Sequence, residues 1–595
     1  MSALRERLPT RDDPVLGGVL LATAVALLAR FWTLGFRSAH QDEARAGLRT
    51  IEYVQSGSYY YRPIVHGPFL FQVNHLTFEV FGASDFVARA VVALVGGLLP
   101  LVAYLFRDRL RGHEVVALAG LLAANPILLY YSRFMRNDVL LAGFALAAVG
   151  FAVRALDTDD RRYVYAAAAA LALAFTTKEN VIVYVGTWVG ALALVVDHRV
   201  RVARTGTGSA GAALEAYAGD VLARLRAWWR TLALAGVEFL AVVVVFYAPR
   251  DPPDVPAAPD VGVGEALANP LRLPELLVGA TLGSWESFWG LWVGSGKQDH
   301  AYLPFFRSYV DVLVAGAAVV CVFAAVGILV DRYTGDGPRD LVSFAGYWGL
   351  ASLFIYPLAT DIQAAWNAVH TVVPLAVPAA VGIGVVYRRG KRAFVVDDTV
   401  GVALAVVVLL LVGAQVAVAA VGPAYLHPQD PGPMVQYGQP DDNHKPMVER
   451  LRRVVAANEN GVDVVFYGGH FKTQLYRQPY PWYLGTMDAN TSHTSFVQDL
   501  AERRPPVVIA PSVGSARIAQ TAGDINGTLS DYWRSEKLAI VLEIPNNEVW
   551  VTVFVHPDYV DEAGVATDAG APPAAPARRG VSAPAVATRA VAPPG

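Results

Sequence analysis

The chain has 595 residues, of which 54% are hydrophobic and only 17% charged, with a mean hydropathy of +0.38 and a formal net charge of −3. Soluble domains carry about 25% charged residues, so a soluble enzyme is excluded and a polytopic membrane protein is implied. The single cysteine, Cys321, excludes an intrachain disulfide framework and any cysteine-based metal or redox site.

Apolar runs long enough to cross a hydrocarbon core of about 30 Å predict eleven spans. They fall at about 15–34, 86–106, 114–132, 139–156, 163–177, 181–197, 231–248, 308–330, 341–359, 370–387 and 399–421. At the first of these, Arg30 and the pair Phe31–Trp32 stand where a signal peptide would have small residues, which predicts an uncleaved first helix. Basic residues of short loops set the orientation. With Arg5, Arg7 and Arg11 inside, so are Arg107/Arg109/Arg111, Arg161/Arg162, the stretch 199–230, Arg332/Arg339 and Arg388/Arg389/Lys391/Arg392. A further stretch at 277–295, with Trp285, Trp289 and Trp292, is read as interfacial or re-entrant, because a crossing there would turn the 388–392 run outward.

The expected fold is therefore a polytopic α-helical membrane domain over 1–421, with external loops at 35–85 and 249–307, followed by a small external α/β domain over 422–562. Strand-like runs at 463–467, 505–512, 538–544 and 549–555 alternate there with helix-compatible segments at 446–457 and 495–503. Asn490 and Asn526 begin acceptor sequons, a placement that agrees with an external domain. The Ala/Pro-rich residues 563–595 are expected to be disordered.

By span parity, three ionisable clusters reach the outer face: His40/Asp42/Glu43, Arg133/Arg136/Asp138 and Lys178/Glu179. Charges gathered at helix ends on one face of a membrane are costly unless they build a site. Adjacent carboxylates offer one group as a general base while its neighbour orients the site, although acidic residues also favour a helix first turn. Arg133 and Arg136, three apart, share a face if the helix persists there, forming a donor fork suited to phosphate, with Asp138 as either site residue or structural partner. Lys178 at a hairpin tip is a third cation or an interface lysine. His66, and the external-loop residues Lys297, Asp299 and His300, face the same side, as do Asp361, Trp366 and His370. A divalent-metal site from these Asp and His residues is conceivable, but no compact ligand spacing appears, and neither a cofactor nor a metal is expected.

The segments "HQDEA" at 40–44, "GASDFVAR" at 82–89, "YYSRFMRND" at 130–138 and "TTKE" at 176–179 resemble the GT-C type of membrane glycosyltransferase. The likeness is to the protein O-mannosyltransferase and aminoarabinose-transferase-like group. With "RPIVHGPFL" at 62–70 added, it narrows to an archaeal family labelled flippase activity-associated. The resemblance covers about 15–200; from 230 onward it rests on "GKQDHAYLPFF", "TDIQAAWNAVH" and "PYPWYLG". It implies a sugar carried on polyprenyl (dolichyl) phosphate and transferred outside the cell membrane by inverting displacement, in surface glycan assembly or protein glycosylation. Asp42 maps onto the base, with Glu43 beside it, and Arg133, Arg136 and Lys178 map onto the cations around the lipid phosphate. His40, His66, Asp138 and His300 are the further candidates for substrate contact. The alternative is a non-catalytic translocation or assembly factor that binds lipid-linked oligosaccharide with the same charges and associates with glycosylation-pathway proteins; no nucleic acid is implied. The carboxylate pair favours transfer, because lipid-phosphate binding has little use for a base.

Overall fold

The computed structural model describes residues 13–564, apart from 64–65, 208, 254, 256–257, 295–299, 335–337, 361, 430–431, 436–437, 441–443, 460, 473–476, 512–524, 536–537 and 542–547. The expectations for Lys297, Asp299, Asp361 and the tail beyond 564 lie outside the described residues.

The membrane domain is helical throughout. Its helices are α1 (Pro14–Phe31), α2 (Gln41–Ser56), α3 (Phe69–Phe81), α4 (Asp85–Leu98), α5 (Gly112–Ala124), α6 (Pro126–Tyr131), α7 (Asp138–Thr158), α8 (Arg162–Thr177), α9 (Val181–Thr207), α10 (Ala210–Tyr247), α11 (Tyr302–Tyr333), α12 (Asp340–Ala359), α13 (Val369–Val395) and α14 (Thr399–Val421). Among the described residues, nine helical stretches are long and apolar enough to cross a membrane. The other two expected spans correspond to shorter helices. That at 114–132 is broken where Asn125 precedes Pro126: the Asn125 side chain accepts from the Leu128 N–H and starts α6, since a residue before proline is steered out of the helical region. That at 163–177 is α8, 16 residues long.

The bundle is built around α13. Of the apolar window of 365–395, 89% is buried, against none of that of 399–426. Gly327 on α11 and Gly382 on α13 bring the two backbones into contact, for a Cβ at either would overlap a carbonyl of the other helix. The basic loops converge at one end of the bundle. There Glu114, fully buried, accepts from Arg339 Nη1 at 2.7 Å, Arg388 Nη1 at 2.8 Å and Arg111 Nη1 at 3.2 Å. Asp157, near the far end of α7 from Asp138, pairs with Arg109 there. At about 1.5 Å per residue that separation is roughly 30 Å, so Asp138 and Asp157 mark opposite ends.

The segment expected as the first external loop is itself structured. Helix α2 opens with a capping box in which His40 Nδ1 accepts from the Asp42 N–H and Glu43 accepts from the His40 N–H. It ends at Gly57, whose φ of +69° suits a residue without a side chain. Further on, Trp285 and Trp289 are exposed on a helical stretch, while Trp292 Nε1 donates to Pro63 O at 2.9 Å.

The C-terminal domain is a mixed sheet of β1 (Val464–Tyr467), β2 (Thr491–Thr494), β3 (Val507–Pro511), β4 (Trp533–Arg534), β5 (Leu538–Val541) and β6 (Glu548–Val555). β1 pairs in parallel with both β2 and β3, β3 pairs antiparallel with β6, and β4 and β5 share the far edge of β6. Alternation along β1 feeds two cores. Val464 and Phe466 pack with Leu451 and Val454 of α15 (His444–Ala457), whereas Val465 and Tyr467 pack with Leu500 of α17 (Val497–Arg503) and with Leu529. Between β1 and β2 lies the short helix α16 (Tyr480–Gly485).

Candidate functional site

Where α2, α4, α13 and the α6–α7 and α8–α9 connections meet, two carboxylates adjacent in sequence sit in different environments. Glu43 is 4% exposed and receives five hydrogen bonds. Arg37 Nη2 donates at 2.7 Å, Arg89 Nε and Nη2 at 2.9 and 3.1 Å, and the backbone N–H groups of His40 and Met135 at 2.9 and 2.8 Å. Burial pushes its carboxyl up, but Arg37 and Arg89 outweigh this and hold it well below the ordinary range. With both oxygens saturated, Glu43 ties the 37–43 turn to α4 and to Met135.

Asp42 is the open member, its side chain 38% exposed. Its Oδ2 accepts from Arg136 Nη1 at 2.5 Å, and His40 Nδ1 lies 4.0 Å away. Burial of the surrounding turn pushes this carboxyl up, while Arg136, His40 and Arg45 pull it further down, to well below the ordinary aspartate range. From Asp42 a chain of charges runs inward. Arg136 Nε reaches Asp138 Oδ2 at 3.4 Å, and Asp138 Oδ1 accepts from Lys178 Nζ at 2.8 Å and from His370 Nε2 at 3.3 Å. His370 Nδ1 in turn accepts from the Tyr184 hydroxyl at 2.7 Å, and its ring stacks on Tyr356. Two carboxylates and two cations thus alternate, and their formal charges cancel. The Arg136 guanidinium carbon lies over the Trp366 ring, 3.4 Å from its centroid. Both line a narrow recess together with His40, Tyr131, Met434 and Gln439.

Two comparisons bear on this architecture. Residues 65–215 match the family described as dolichyl-phosphate-mannose-protein mannosyltransferase, and residues 444–556 match the Agl23 flippase-associated protein C-terminal domain. Among solved structures, ArnT from Cupriavidus metallidurans bound to undecaprenyl phosphate is similar with a TM-score of 0.51 and 18% identity, covering 90% of this chain and 98% of that one. The chain has the GT-C fold. The apo form of the same ArnT matches with the same score and identity over 91% of this chain and 98% of that one. The Archaeoglobus fulgidus oligosaccharyltransferase tethered with an acceptor peptide aligns at a TM-score of 0.49 and 15% identity, over 93% and 77% of the two chains. No curated protein sequence matches the chain.

Within this GT-C bundle, the candidates read from sequence divide. Asp42, Arg136, Asp138 and Lys178 form one network, and His40 caps the helix that carries Asp42. The expectation that Arg133 and Arg136 share a helix face does not hold, because α6 ends at Tyr131 and α7 begins only at Asp138. Arg133 points instead at the end of α1, donating to the carbonyls of Ala29, Arg30, Trp32 and Thr33 at 3.2, 3.0, 2.6 and 3.2 Å. Those carbonyls have no partner inside the helix and carry the negative end of its dipole. Arg30 does the same for α5, reaching the carbonyls of Leu122 and Ala123. His66 lies 3.6 Å from Glu179, which accepts from the Tyr61 hydroxyl, and stacks near Trp292. His300 reaches Thr360 O at 2.7 Å and packs by Phe305. Among the described residues, no group of three or more His, Cys, Asp or Glu side chains is arranged to hold a metal ion.

Sequence reading did not single out Arg37, Arg89, Asp85 or Gln439. Arg89 and Asp85 had a signal, being charges at the head of an otherwise apolar span within "GASDFVAR". Arg37 and Gln439 are 402 positions apart and had none.

Proposed function

We propose that the protein is an integral-membrane glycosyltransferase that takes a sugar from a polyprenyl (dolichyl) phosphate donor and passes it to a hydroxyl acceptor on the external face of the cell membrane. The observation that carries the reading is the juxtaposition of a part-exposed carboxylate, Asp42, with a cation, Arg136, at 2.5 Å. A base and a leaving-group cation must lie within one sugar's reach of each other for a single displacement.

The chemistry follows from the charges. In the free protein Arg136 holds the Asp42 carboxyl below the usual range and so weakens it as a base. An incoming phosphate competes for the Arg136 guanidinium, and each hydrogen bond that Arg136 turns toward phosphate releases Asp42 and raises its basicity. Donor binding thus arms the base. The acceptor oxygen attacks the anomeric carbon, its proton passes to Asp42, and the carbon–oxygen bond to phosphate breaks with inversion. The electron pair leaves on the phosphate oxygen, where Arg136, backed by Asp138 and Lys178, stabilises the developing charge. The basic loops gathered round Glu114, at the end far from Asp42, support a cytoplasmic N-terminus and an external C-terminal domain.

The match of residues 444–556 to a flippase-associated domain favours one alternative, a translocation or assembly factor that binds the lipid phosphate without transfer. Purified protein in lipid, supplied with labelled polyprenyl-phosphate sugars and an acceptor panel, separates the two. Transfer by wild type that falls at least 100-fold in Asp42→Asn, with donor binding retained, is the expected result. Donor binding with no transfer by either protein across the panel would overturn it in favour of the translocation reading.

A further inference from the structure

The C-terminal domain meets the membrane domain through a set of buried polar contacts that end on the turn carrying Asp42. Asp85, the first residue of α4, is 7% exposed. Its Oδ1 accepts from Trp482 Nε1 at 2.8 Å, and its Oδ2 accepts from the Tyr483 hydroxyl at 3.1 Å and from Lys445 Nζ. All three donors belong to the C-terminal domain. The Tyr483 hydroxyl is used twice, since its oxygen also accepts the Ala39 N–H at 2.7 Å. Ala39 immediately precedes the capping residue of α2, so one hydroxyl joins Asp85 to the backbone three residues before Asp42. Trp482 packs on α2 at Gly47, where an added Cβ would come within 2.6 Å of the indole.

A second strand of contacts comes from the linker between α14 and the sheet domain. Gly438 O accepts from the Gln41 N–H at 2.9 Å, Gln439 Oε1 from Arg37 Nη1 at 2.7 Å, and Gln439 Nε2 donates to Ser38 O at 3.2 Å. Arg89, one turn along α4 from Asp85, holds Glu43 and also donates to the carbonyls of Leu34 and Arg37. The 37–43 turn is thereby gripped by α4 on one side and by the C-terminal domain and its linker on the other.

We infer that the C-terminal domain is a positioning clamp for the Asp42 turn, acting through Tyr483, Asp85 and the 438–439 linker, rather than a separate module tethered to the bundle. The inference rests on the proposed role of Asp42 but is testable without it. Tyr483 and Asp85 fix where the Asp42 carboxylate stands relative to Arg136. A clamp built this way makes the two domains one functional unit, so a defect in the soluble domain reads out at the membrane site.

The test uses the full chain in lipid with Tyr483→Phe, which removes one oxygen and keeps the ring, and Trp482→Phe as a second variant should the first not fold. Hydrogen exchange is followed in peptides covering 37–43 and, as a control, in the β1–β3 core. Exchange at 37–43 rising at least 10-fold in Tyr483→Phe, with the control unchanged, is expected. Under saturating donor, kcat falls about 10-fold while the donor KM stays within twofold, and the acid limb of the rate profile moves to higher pH as the Asp42–Arg136 contact loosens. Unchanged exchange at 37–43 in both variants overturns the clamp, as does a raised exchange that leaves kcat and its pH profile at wild-type values. If wild type itself transfers no sugar, the glycosyltransferase reading fails while the exchange comparison still decides whether the clamp exists.

Discussion

Replacing Glu43 by Gln tests the two-carboxylate division most directly. The side chain keeps its shape, but its charge disappears and an amide NH₂ takes the place of one oxygen among five donors. Arg37 and Arg89, 5% and 1% exposed, are then buried without their counter-charge. Removing one partner of a buried ion pair costs about 3–5 kcal/mol, and at 1.36 kcal/mol per decade this raises the open population of the turn about 150- to 5,000-fold. Trypsin reports it, because Arg37, Arg45 and Arg49 lie in or beside the turn and cleavage of a transiently opened segment tracks its population. The expected result is cleavage at these arginines faster by about two to four orders of magnitude, with part of the increase at Arg45 and Arg49 relieved when Arg37→Gln is added, because the pair is coupled. Cleavage rates within threefold of wild type would refute the reasoning, showing that the turn is held by something other than the Glu43 oxygens.

Further outcomes follow from the same geometry. Glu43 and Asp42 both have folded-state pKa values depressed below their ordinary 4.5 and 3.8. Such groups contribute stability that is fully present above those values and lost as the pH falls through the folded ones. The melting temperature should therefore stay flat from pH 7 to 5 and drop only below about 4.5; a drop between pH 7 and 5.5 would count against it. Arg133→Gln should lower stability by about 1–3 kcal/mol through the carbonyls of Arg30 and Trp32 it no longer satisfies while leaving donor affinity unchanged, as thermal melting and lipid-phosphate binding can measure together. Arg136→Lys keeps the charge but loses the guanidinium contact with Trp366 and the paired reach to Asp42 and Asp138. It should cut transfer at least 10-fold, and wild-type transfer would remove Arg136 from the site.

The sequence by itself determined the class and brought much of the candidate site into view. Hydrocarbon thickness and helical rise make span length a one-dimensional signal, so the eleven apolar runs all became helices, and the alternating strand pattern announced the α/β domain. Parity along the chain brought Asp42, Arg136, Asp138 and Lys178 to one end, which is where they meet. What the tertiary structure decided is which charge faces which. Adjacent in sequence, Asp42 and Glu43 differ because α4 brings Arg89 and the 37–43 turn brings Arg37 to one of them only. Arg133 left the site because α6 ends early at Tyr131 and the open end of α1 offered it four carbonyls. His370 entered the network beside Asp138, 232 positions away, and Tyr483 reached Ala39 across 444. Hydrogen bonds and ion pairs act over about 3 Å, and no local pattern in the chain reports which distant donors will arrive within that distance.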